Sequence, residues 1–373
     1  MKLALDAREI YRPRRRGIGK SLTELYRHLA RLRPDWRILM FHQVETADDP
    51  LAGLPNVQRR RIDIPGYRWD LWQRLRLPMA VRLSGSDVLH CPANTAAAHP
   101  GAALVLTIHD LIPLEEAFAT PGSRTWGQNV ARAARKARRI LTPSRYVQER
   151  ITQVFGVQAD KVTVCPWAAD PACRRVTDAE LLKRLRRKRG IQTYRPYVLG
   201  FGGADPRKNT AGILQAWARM PEGVRDACAL LLVGIQEPAL TVFRRQAQHL
   251  GLDGSCFLDE FVEEEEIPAL ISGATVMCYP SRSEGFGLPI LDAFACQTPV
   301  LTSNTTSLPE VAGDAAMLVD PEDPKAIAAG LMELLGNDAL RADMVARGRE
   351  QLSRFTWTAC AERTAEAIES AVG

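Results

Sequence analysis

The chain has 373 residues, a length that exceeds one compact core and predicts two domains of about 180 residues each. No apolar run reaches the roughly 18 residues that cross a bilayer, and no signal-peptide pattern follows Met1, so we expect a cytoplasmic protein. The eight cysteines form no CxxC pair, which predicts reduced core residues and no zinc site.

Charge is distributed unevenly along the chain. The net charge is +6, but residues 1–190 contain 35 Lys and Arg against 18 Asp and Glu, whereas residues 191–373 contain 14 against 25. The basic first half favours phosphate-bearing partners: nucleic acid, anionic lipid headgroups or a phosphate-bearing acceptor. Because none of the usual nucleic-acid-binding modules occurs, nucleic acid is disfavoured.

The first predicted elements are a short strand, a basic loop and an amphipathic helix. Gly17 and Gly19 lie between the strand and the helix. A phosphate-binding P-loop is excluded, because that motif requires glycine where this chain has Arg14. What remains is a glycine-rich turn flanked by Arg14, Arg15 and Arg16, which is either part of a site or a flexible turn with solvated arginines.

Between residues 59 and 83, arginines are interleaved with large apolar residues. Such a segment fits the edge of a membrane, and it fits equally well a surface helix whose aromatic residues belong to the core. The pattern leaves both interpretations open. The apolar residues are Trp69, Leu71, Trp72, Leu75, Leu77 and Met79.

Two further predicted strands, residues 87–90 and 103–108, end at histidines. His90 is the last residue of the first strand, and His109 and Asp110 follow the second. Ligand sites in open α/β sheets lie at the carboxyl ends of the strands, so His109 with Asp110 is a site candidate. The alternative for His109 is a capped core histidine, and His90 is the weaker candidate of the two.

A charged run at residues 183–189 predicts a solvated linker, and the second half of the chain begins with a strand at 197–200. Gly202, Gly203, Arg207 and Lys208 follow that strand. Glycines let a ligand approach the backbone closely, and the two adjacent cations neutralise negative charge. The loop therefore predicts a clamp for a diphosphate.

The most informative stretch, residues 275–303, predicts a buried strand, a glycine loop, a helix opening at Leu288 and a second buried strand. Gly285 and Gly287 would let a phosphate approach the free N–H groups at the helix start. Glu284 and Asp292 would repel a phosphate, so we interpret these carboxylates as acceptors for sugar hydroxyls on either side of it.

The stretch from Glu284 to Asp292 resembles the signature of the retaining glycosyltransferases of family 4, which have the GT-B fold and include many bacterial mannosyltransferases. That signature is Glu, seven residues, Glu, with EGFGLP at its head. Residues 284–289 match outright, and Asp292 replaces the second Glu with a side chain one methylene shorter.

The resemblance implies an α/β protein in which two doubly wound, Rossmann-like domains face a central cleft. Residues 1–190 would form the acceptor-binding domain, and residues 191–356 the nucleotide-sugar-binding domain. Residues 357–373 would form a last helix that packs back on the first domain.

The resemblance also implies roles for individual residues. His109 and Glu284 would contact the donor sugar as the catalytic residues, Asp292 would hold the ribose, and Arg207 with Lys208 would hold the donor diphosphate. The other implied donor-binding residues are Gly203, Gly285, Phe286, Gly287 and Leu288. The implied acceptor or cleft residues are Gly17, Gly19, Arg16 and Asp110.

The implied activity is the metal-independent transfer of a hexose, with retention, from a nucleotide sugar to a saccharide acceptor, without any cofactor. The PRKN form of residues 206–209 and the EGFGLP context favour GDP-mannose, with GDP-rhamnose, UDP-glucose or another UDP-hexose as the alternative donor. The basic first half suggests a polyprenyl-diphosphate-linked acceptor at the inner face of the cell membrane, in polysaccharide or lipopolysaccharide biosynthesis. Two alternatives are a nucleotide-sugar epimerase or hydrolase on the same fold and a non-enzymatic basic binding module.

Overall fold

The computed structural model describes residues 1–13, 15, 17–63, 71–97, 99–260 and 262–372. The chain divides into two compact units. The first unit contains Met1–Ala168 together with the segment from Phe355 to the C-terminus, and the second contains Ala169–Arg354.

The first unit is built on a parallel sheet, which has seven strands in the described residues, in the order β3-β2-β1-β4-β5-β6-β7. The inner residues of most of these strands are apolar and buried, because helices cover both faces of a parallel sheet. The strands are β1 (Lys2–Asp6), β2 (Arg37–His42), β3 (Val57–Arg61), β4 (Val88–Cys91), β5 (Ala103–Thr107), β6 (Arg139–Thr142) and β7 (Val162–Val164).

The second unit has six parallel strands in the described residues, in the order β10-β9-β8-β11-β12-β13. The strand order reverses between β8 and β11, so the loops that follow these two strands leave the sheet side by side. The strands are β8 (Tyr197–Phe201), β9 (Ala229–Val233), β10 (Cys256–Asp259), β11 (Val276–Tyr279), β12 (Val300–Ser303) and β13 (Ala316–Val319). Such a reversal is where open α/β sheets bind their ligands.

The α-helices of the described residues connect these strands and flank the sheets. They are α1 (Gly17–Leu32), α2 (Leu77–Ser84), α3 (Ser123–Lys136), α4 (Arg145–Phe155), α5 (Ala179–Lys188), α6 (Thr210–Ala218), α7 (Glu222–Ala227), α8 (Ala239–His249), α9 (Ile267–Gly273), α10 (Leu288–Ala295), α11 (Leu308–Ala312), α12 (Pro324–Gly336), α13 (Asp338–Ser353) and α14 (Trp357–Glu369). In the part of the chain that is described, none of them is both long and apolar enough to cross a bilayer.

The last helix, α14, belongs to the first unit. It packs beside α1, where Arg33 Nε donates to Glu369 Oε1 over 2.8 Å. Directly after the helix, Arg139 Nε donates to Ser370 Oγ, also over 2.8 Å. The C-terminal segment is therefore fixed to the body that the first 168 residues form.

The predicted domain boundary at residue 190 is wrong, because residues 169–190 group with the second unit. Arg175 Nη1 donates to the carbonyl oxygen of Ser272 over 2.6 Å. The run 183–189 is also not a solvated linker throughout. The guanidinium of Arg189 is buried and forms ion pairs with Glu266 at 2.6 Å and with Asp259 at 3.0 Å.

The basic segment at residues 59–83 contains two different elements. Arg59 is in β3, a polar strand at the edge of the sheet, which the sequence pattern did not predict. Trp72 opens a π-helical turn, Trp72–Arg76, that continues into α2, and its side chain is fully buried in the core. Trp69 lies outside the described residues.

His90 is a structural residue of the first unit. Its ring nitrogens lie 2.5 Å from Tyr26 Oη and 2.7 Å from Thr107 Oγ1, and the side chain is completely buried. Burial, with a smaller contribution from His109, lowers the pKa of His90 to about 3. The imidazole is therefore neutral in the folded protein at pH 7.

We expect the stability of the first unit to fall as the pH is lowered from about 6.5 towards 3. In that window the unfolded chain binds a proton that folded His90 rejects, so His90 contributes a slope approaching about 1.4 kcal/mol per pH unit. Urea unfolding at several pH values measures this slope. His90→Gln should show a smaller slope than the wild type and than the exposed control His249→Gln, and an equal slope would contradict the assignment.

Candidate functional site

The loop after β8 is held in one conformation by its own side chains. Asp205 accepts the N–H of Arg207 at 3.1 Å and caps the short turn Pro206–Lys208. Asn209 adopts a left-handed conformation with φ of 56°, and its Nδ2 donates to the carbonyl oxygens of Pro280 and Pro321. The loop after β8 is thereby joined to the loop after β11.

The loop after β11 depends on Gly287. This residue has φ of +122°, a conformation that L side chains rarely adopt, and a Cβ there would lie 2.8 Å from Leu308 Cδ2. The hydroxyl of Ser307 lies 2.8 Å from the carbonyl oxygens of Glu284 and Phe286 and supports the same loop. Helix α10 begins directly afterwards, with a proline in its first turn.

Glu284 joins the two loops through a buried charge cluster. Its Oε2 accepts from Arg207 Nη1 at 2.7 Å, and its Oε1 accepts from Lys208 Nζ at 2.7 Å. Tyr279, the last residue of β11, donates its hydroxyl to Oε1 at 2.6 Å and accepts from Lys208 at 2.9 Å. The sequence analysis assigned Glu284, Arg207 and Lys208 to one donor site, but it predicted neither that the carboxylate pairs with both cations nor that Tyr279 joins them.

All three ionisable groups of the cluster, Glu284, Arg207 and Lys208, keep their charges. Burial would raise the pKa of Glu284, but the charges of Lys208 and Arg207 outweigh burial and hold the pKa below its ordinary value. Burial would lower the pKa of Lys208, whereas Tyr279 and Glu284 raise it, and the net shift is upward. Burial raises the pKa of Tyr279 to about 12, so its hydroxyl keeps the proton that it donates.

Asp292 lies one turn inside α10, in the same unit as Glu284. Its Oδ1 accepts the backbone N–H of Asp170 at 2.9 Å. The structure thus places the predicted ribose-binding residue on the helix whose start follows the glycine loop.

His109 is buried in the first unit, where β5 ends. Its backbone N–H donates to Asn94 Oδ1 at 2.8 Å, its Nε2 lies 2.5 Å from the carbonyl oxygen of Pro92, and its ring packs on Trp167 at 4.9 Å between centroids. Burial lowers the pKa of His109 to about 4. Because a carbonyl oxygen only accepts, the neutral ring carries its proton on Nε2, and Nδ1 has no partner among the described residues.

The remaining candidates of the first unit have structural roles of their own. Asp110 Oδ1 accepts the N–H of Ile112 at 3.2 Å. The predicted glycine-rich turn before the helix is wrong. Helix α1 begins at Gly17 itself, so Gly17 and Gly19 lie in its first turn. A Cβ at Gly19 would overlap the carbonyl oxygen of Glu9, whereas a Cβ at Gly17 would meet nothing within 4 Å. Arg16 lies outside the described residues.

In the second unit, the predicted donor residues lie around the point where the strand order reverses, between β8 and β11. A Cβ on Gly203 would make only ordinary van der Waals contact, 3.6 Å from Lys208 Cγ, so close packing does not require glycine at this position. Gly285 and Phe286 lie in the buried glycine loop, and Leu288 is the first residue of α10. In the described part of the chain, no group of three or more His, Cys, Asp or Glu side chains is arranged to hold a metal ion.

Sequence reasoning missed Tyr279, Asn209 and Ser307. Tyr279 is the last residue of β11, and its place at the carboxyl end of a strand is the signal that could have made it a site candidate. Asn209 and Ser307 act through hydrogen bonds to backbone carbonyls of distant loops. No local pattern predicts such contacts.

Comparison with known proteins assigns the family. The model described as Glycosyltransferase Family 4 matches residues 15–172, and the model described as Glycosyl transferases group 1 matches residues 183–351. O-antigen chain mannosyltransferase B of Escherichia coli is 31% identical to this chain over 369 residues, which are 95% of this chain and 96% of that protein. The chain is a family 4 glycosyltransferase.

Solved structures of other glycosyltransferases share its architecture. Sucrose-phosphate synthase from Thermosynechococcus elongatus is 20% identical, with a TM-score of 0.77 over 98% of both chains. Anabaena HepE, solved in complex with UDP and glucose, is 18% identical, with a TM-score of 0.77 over 99% of both chains. The predicted GT-B fold and the predicted membership of the glycosyltransferases are confirmed.

The two glycines of α1 give a matched pair of substitutions. We expect Gly19→Ala to lower the free energy of unfolding by about 1–3 kcal/mol, because its Cβ collides with a backbone carbonyl. Gly17→Ala should leave the stability of this family 4 glycosyltransferase unchanged or raise it by up to about 1 kcal/mol, since alanine favours helix. Urea unfolding measures both, and equal effects of the two substitutions would contradict the packing described for Gly19.

Proposed function

We propose that this glycosyltransferase transfers mannose from GDP-mannose to a lipid-linked saccharide acceptor, with retention at the anomeric carbon and without a metal ion. The observation that carries the proposal is the Arg207–Glu284–Lys208 cluster beside the start of α10. The O-antigen mannosyltransferase relative and the PRKN sequence of residues 206–209 support the choice of sugar and nucleotide.

The cluster explains how a diphosphate would be bound. Arg207 and Lys208 each keep part of their side chain exposed, so an incoming phosphate oxygen reaches them without unfolding the loops. The donor diphosphate then replaces Glu284 as the ion-pair partner of Arg207 and Lys208. The N–H groups at the start of α10 donate further hydrogen bonds to it. Glu284, released from both cations, accepts hydrogen bonds from hydroxyls of the sugar.

The same contacts stabilise the leaving group. When the bond between the anomeric carbon and the phosphate oxygen breaks, negative charge develops on the diphosphate, next to Arg207 and Lys208. The acceptor hydroxyl attacks from the face that the leaving group vacates, and its proton passes to the departing phosphate oxygen. Two side-chain cations and a helix start supply the charge stabilisation that a metal ion gives in other transferases.

His109 would act as a hydrogen-bond acceptor and not as an acid. Its pKa of about 4 keeps the ring neutral at pH 7, and the contact of Nε2 with Pro92 leaves Nδ1 as an acceptor. We propose that Nδ1 accepts from a hydroxyl of the donor sugar, and that Asp292 accepts from a ribose hydroxyl. Gly17, Gly19 and Asp110, together with Arg16, are proposed for the acceptor.

The proposed acceptor places the protein in polysaccharide or lipopolysaccharide biosynthesis. A saccharide carried on a polyprenyl diphosphate remains at the inner face of the cell membrane, so we propose a cytoplasmic enzyme bound peripherally to that face. The excess of Lys and Arg in residues 1–190 supports the affinity for a diphosphate-bearing acceptor and for anionic lipid.

Calorimetry with GDP, UDP, GDP-mannose and UDP-glucose, in buffer without metal, tests the donor site. We expect GDP and GDP-mannose to bind most tightly, and Lys208→Ala to weaken them about 10- to 100-fold through the loss of a charge-assisted contact. The exposed Lys325→Ala is the control and should bind like the wild type. Preference for UDP forms would overturn the mannose donor, and no binding of any nucleotide would overturn the transferase site.

A transfer assay tests the reaction itself. With GDP-mannose, EDTA and a lipid-linked saccharide, we expect a product whose new linkage has the α configuration of the donor, as measured by NMR. Glu284→Gln should reduce the rate by about 100-fold or more, because its uncharged amide is a weaker acceptor for the sugar hydroxyls. Release or isomerisation of mannose without an acceptor would instead favour an epimerase or hydrolase.

A further inference from the structure

The π-helical turn Trp72–Arg76 continues into α2, and together with Leu71 they form one helical segment, residues 71–84. This helix carries a line of exposed apolar side chains. Leu75 is 59% exposed, Met79 is 50% exposed and Leu83 is 82% exposed. These residues recur at every fourth position, so they lie one above the other on the same side of the helix. Single exposed apolar residues are common on protein surfaces, but a continuous exposed line of three large ones marks an interaction surface.

The opposite side of this helix is firmly anchored, so the exposure does not arise from a loosely packed segment. Trp72, Leu77 and Val81 are fully buried in the core of the first unit. Trp72 Nε1 donates to the carbonyl oxygen of Ile62 at 3.2 Å, and the guanidinium of Arg8 lies 4.4 Å above the indole ring. The helix therefore holds its apolar line in a fixed direction.

Positive charge accompanies the apolar line. Arg74, Arg76 and Arg82 are all exposed, and the segment 71–84 contains no acidic residue. Apolar side chains next to arginines match an anionic bilayer, where leucine and methionine enter the acyl boundary and the guanidinium groups remain among the phosphates. A segment of 14 residues is too short to span a bilayer that requires about 20, so it lies in the plane of the surface.

A protein partner fits this surface less well. A stable protein interface buries about 800 Å² on each side, and its core is depleted of charged residues. A narrow line of three side chains between three arginines offers little area for such an interface, whereas insertion into a bilayer needs only a few apolar side chains beside basic ones.

We propose that the segment 71–84 docks this enzyme on the surface of an anionic membrane, with Leu75, Met79 and Leu83 inserted. The biological reason for docking rests on the proposed function, since a lipid-linked acceptor is presented at that surface. Docking itself requires neither nucleotide nor acceptor, so it is measured independently of catalysis.

Co-sedimentation with vesicles tests the proposal on the full chain. The vesicles contain phosphatidylcholine alone or mixed with phosphatidylglycerol, and we expect binding to the mixed vesicles only. The variant Leu75→Ser/Met79→Ser/Leu83→Ser should lose at least about tenfold in binding. The variant Arg74→Gln/Arg76→Gln/Arg82→Gln should lose a similar factor and become insensitive to salt.

A matched control separates this helix from exposed apolar residues in general. Val154, Val242 and Met332 are 40%, 59% and 43% exposed on other helices. Val154→Ser/Val242→Ser/Met332→Ser should bind the mixed vesicles like the wild type. Equal binding by the wild type and the Leu75, Met79 and Leu83 variant would overturn the proposal, as would equal losses in that variant and in the control.

Three further measurements distinguish loss of docking from misfolding and from self-association. Cooperative urea unfolding of the Leu75, Met79 and Leu83 variant, as in the wild type, shows that its first unit folds. GDP binding by calorimetry should be unchanged in this variant, which separates loss of docking from failure of the donor site in the second unit. Light scattering reports the oligomeric state. A wild-type dimer that becomes a monomer in this variant, with no vesicle binding by either protein, would assign the surface to self-association and overturn membrane docking.

Discussion

The pairing of Glu284 with two cations is the interaction on which the candidate site depends. A carboxylate at this depth is stable only when its charge is compensated, and Arg207 and Lys208 both compensate it. The cations belong to the loop after β8 and the carboxylate to the loop after β11, so the pairs also fix these loops relative to each other. The hydroxyl of Tyr279 donates a further hydrogen bond to the same carboxylate. The result is a rigid cluster of three charged side chains where the strand order reverses, between β8 and β11.

Much of the second unit could be predicted from local sequence. Its strands are short apolar runs with glycines or prolines nearby, and the signature at residues 284–289 identifies the loop, the helix start and the enzyme family. The first unit was less predictable. β3 is a polar edge strand without the apolar run that marks the inner strands, and the glycines at the start of α1 suggested a turn.

The contacts that the sequence did not reveal join residues that are far apart in the chain. Arg189 belongs to a run of cations that the sequence predicts to be solvated, yet it is buried and paired with Glu266 and Asp259. The residues before it, from 169 onward, belong to the second unit. Asn209 also contacts a residue that is distant in the chain, because its Nδ2 donates to the carbonyl oxygen of Pro321. Periodicity and composition describe neighbours along the chain, so they predict which side chains are polar but not which distant group each one meets.

The charge cluster also means that the candidate site carries its own counterion, the carboxylate of Glu284. A diphosphate would not enter a bare positive pocket, because Glu284 already balances part of its charge. On the proposed function, donor binding would exchange one anion for another around the same two cations. On the proposed mode of binding, the affinity for nucleotides would depend less on ionic strength than two unpaired cations would suggest, because Glu284 already neutralises part of their charge.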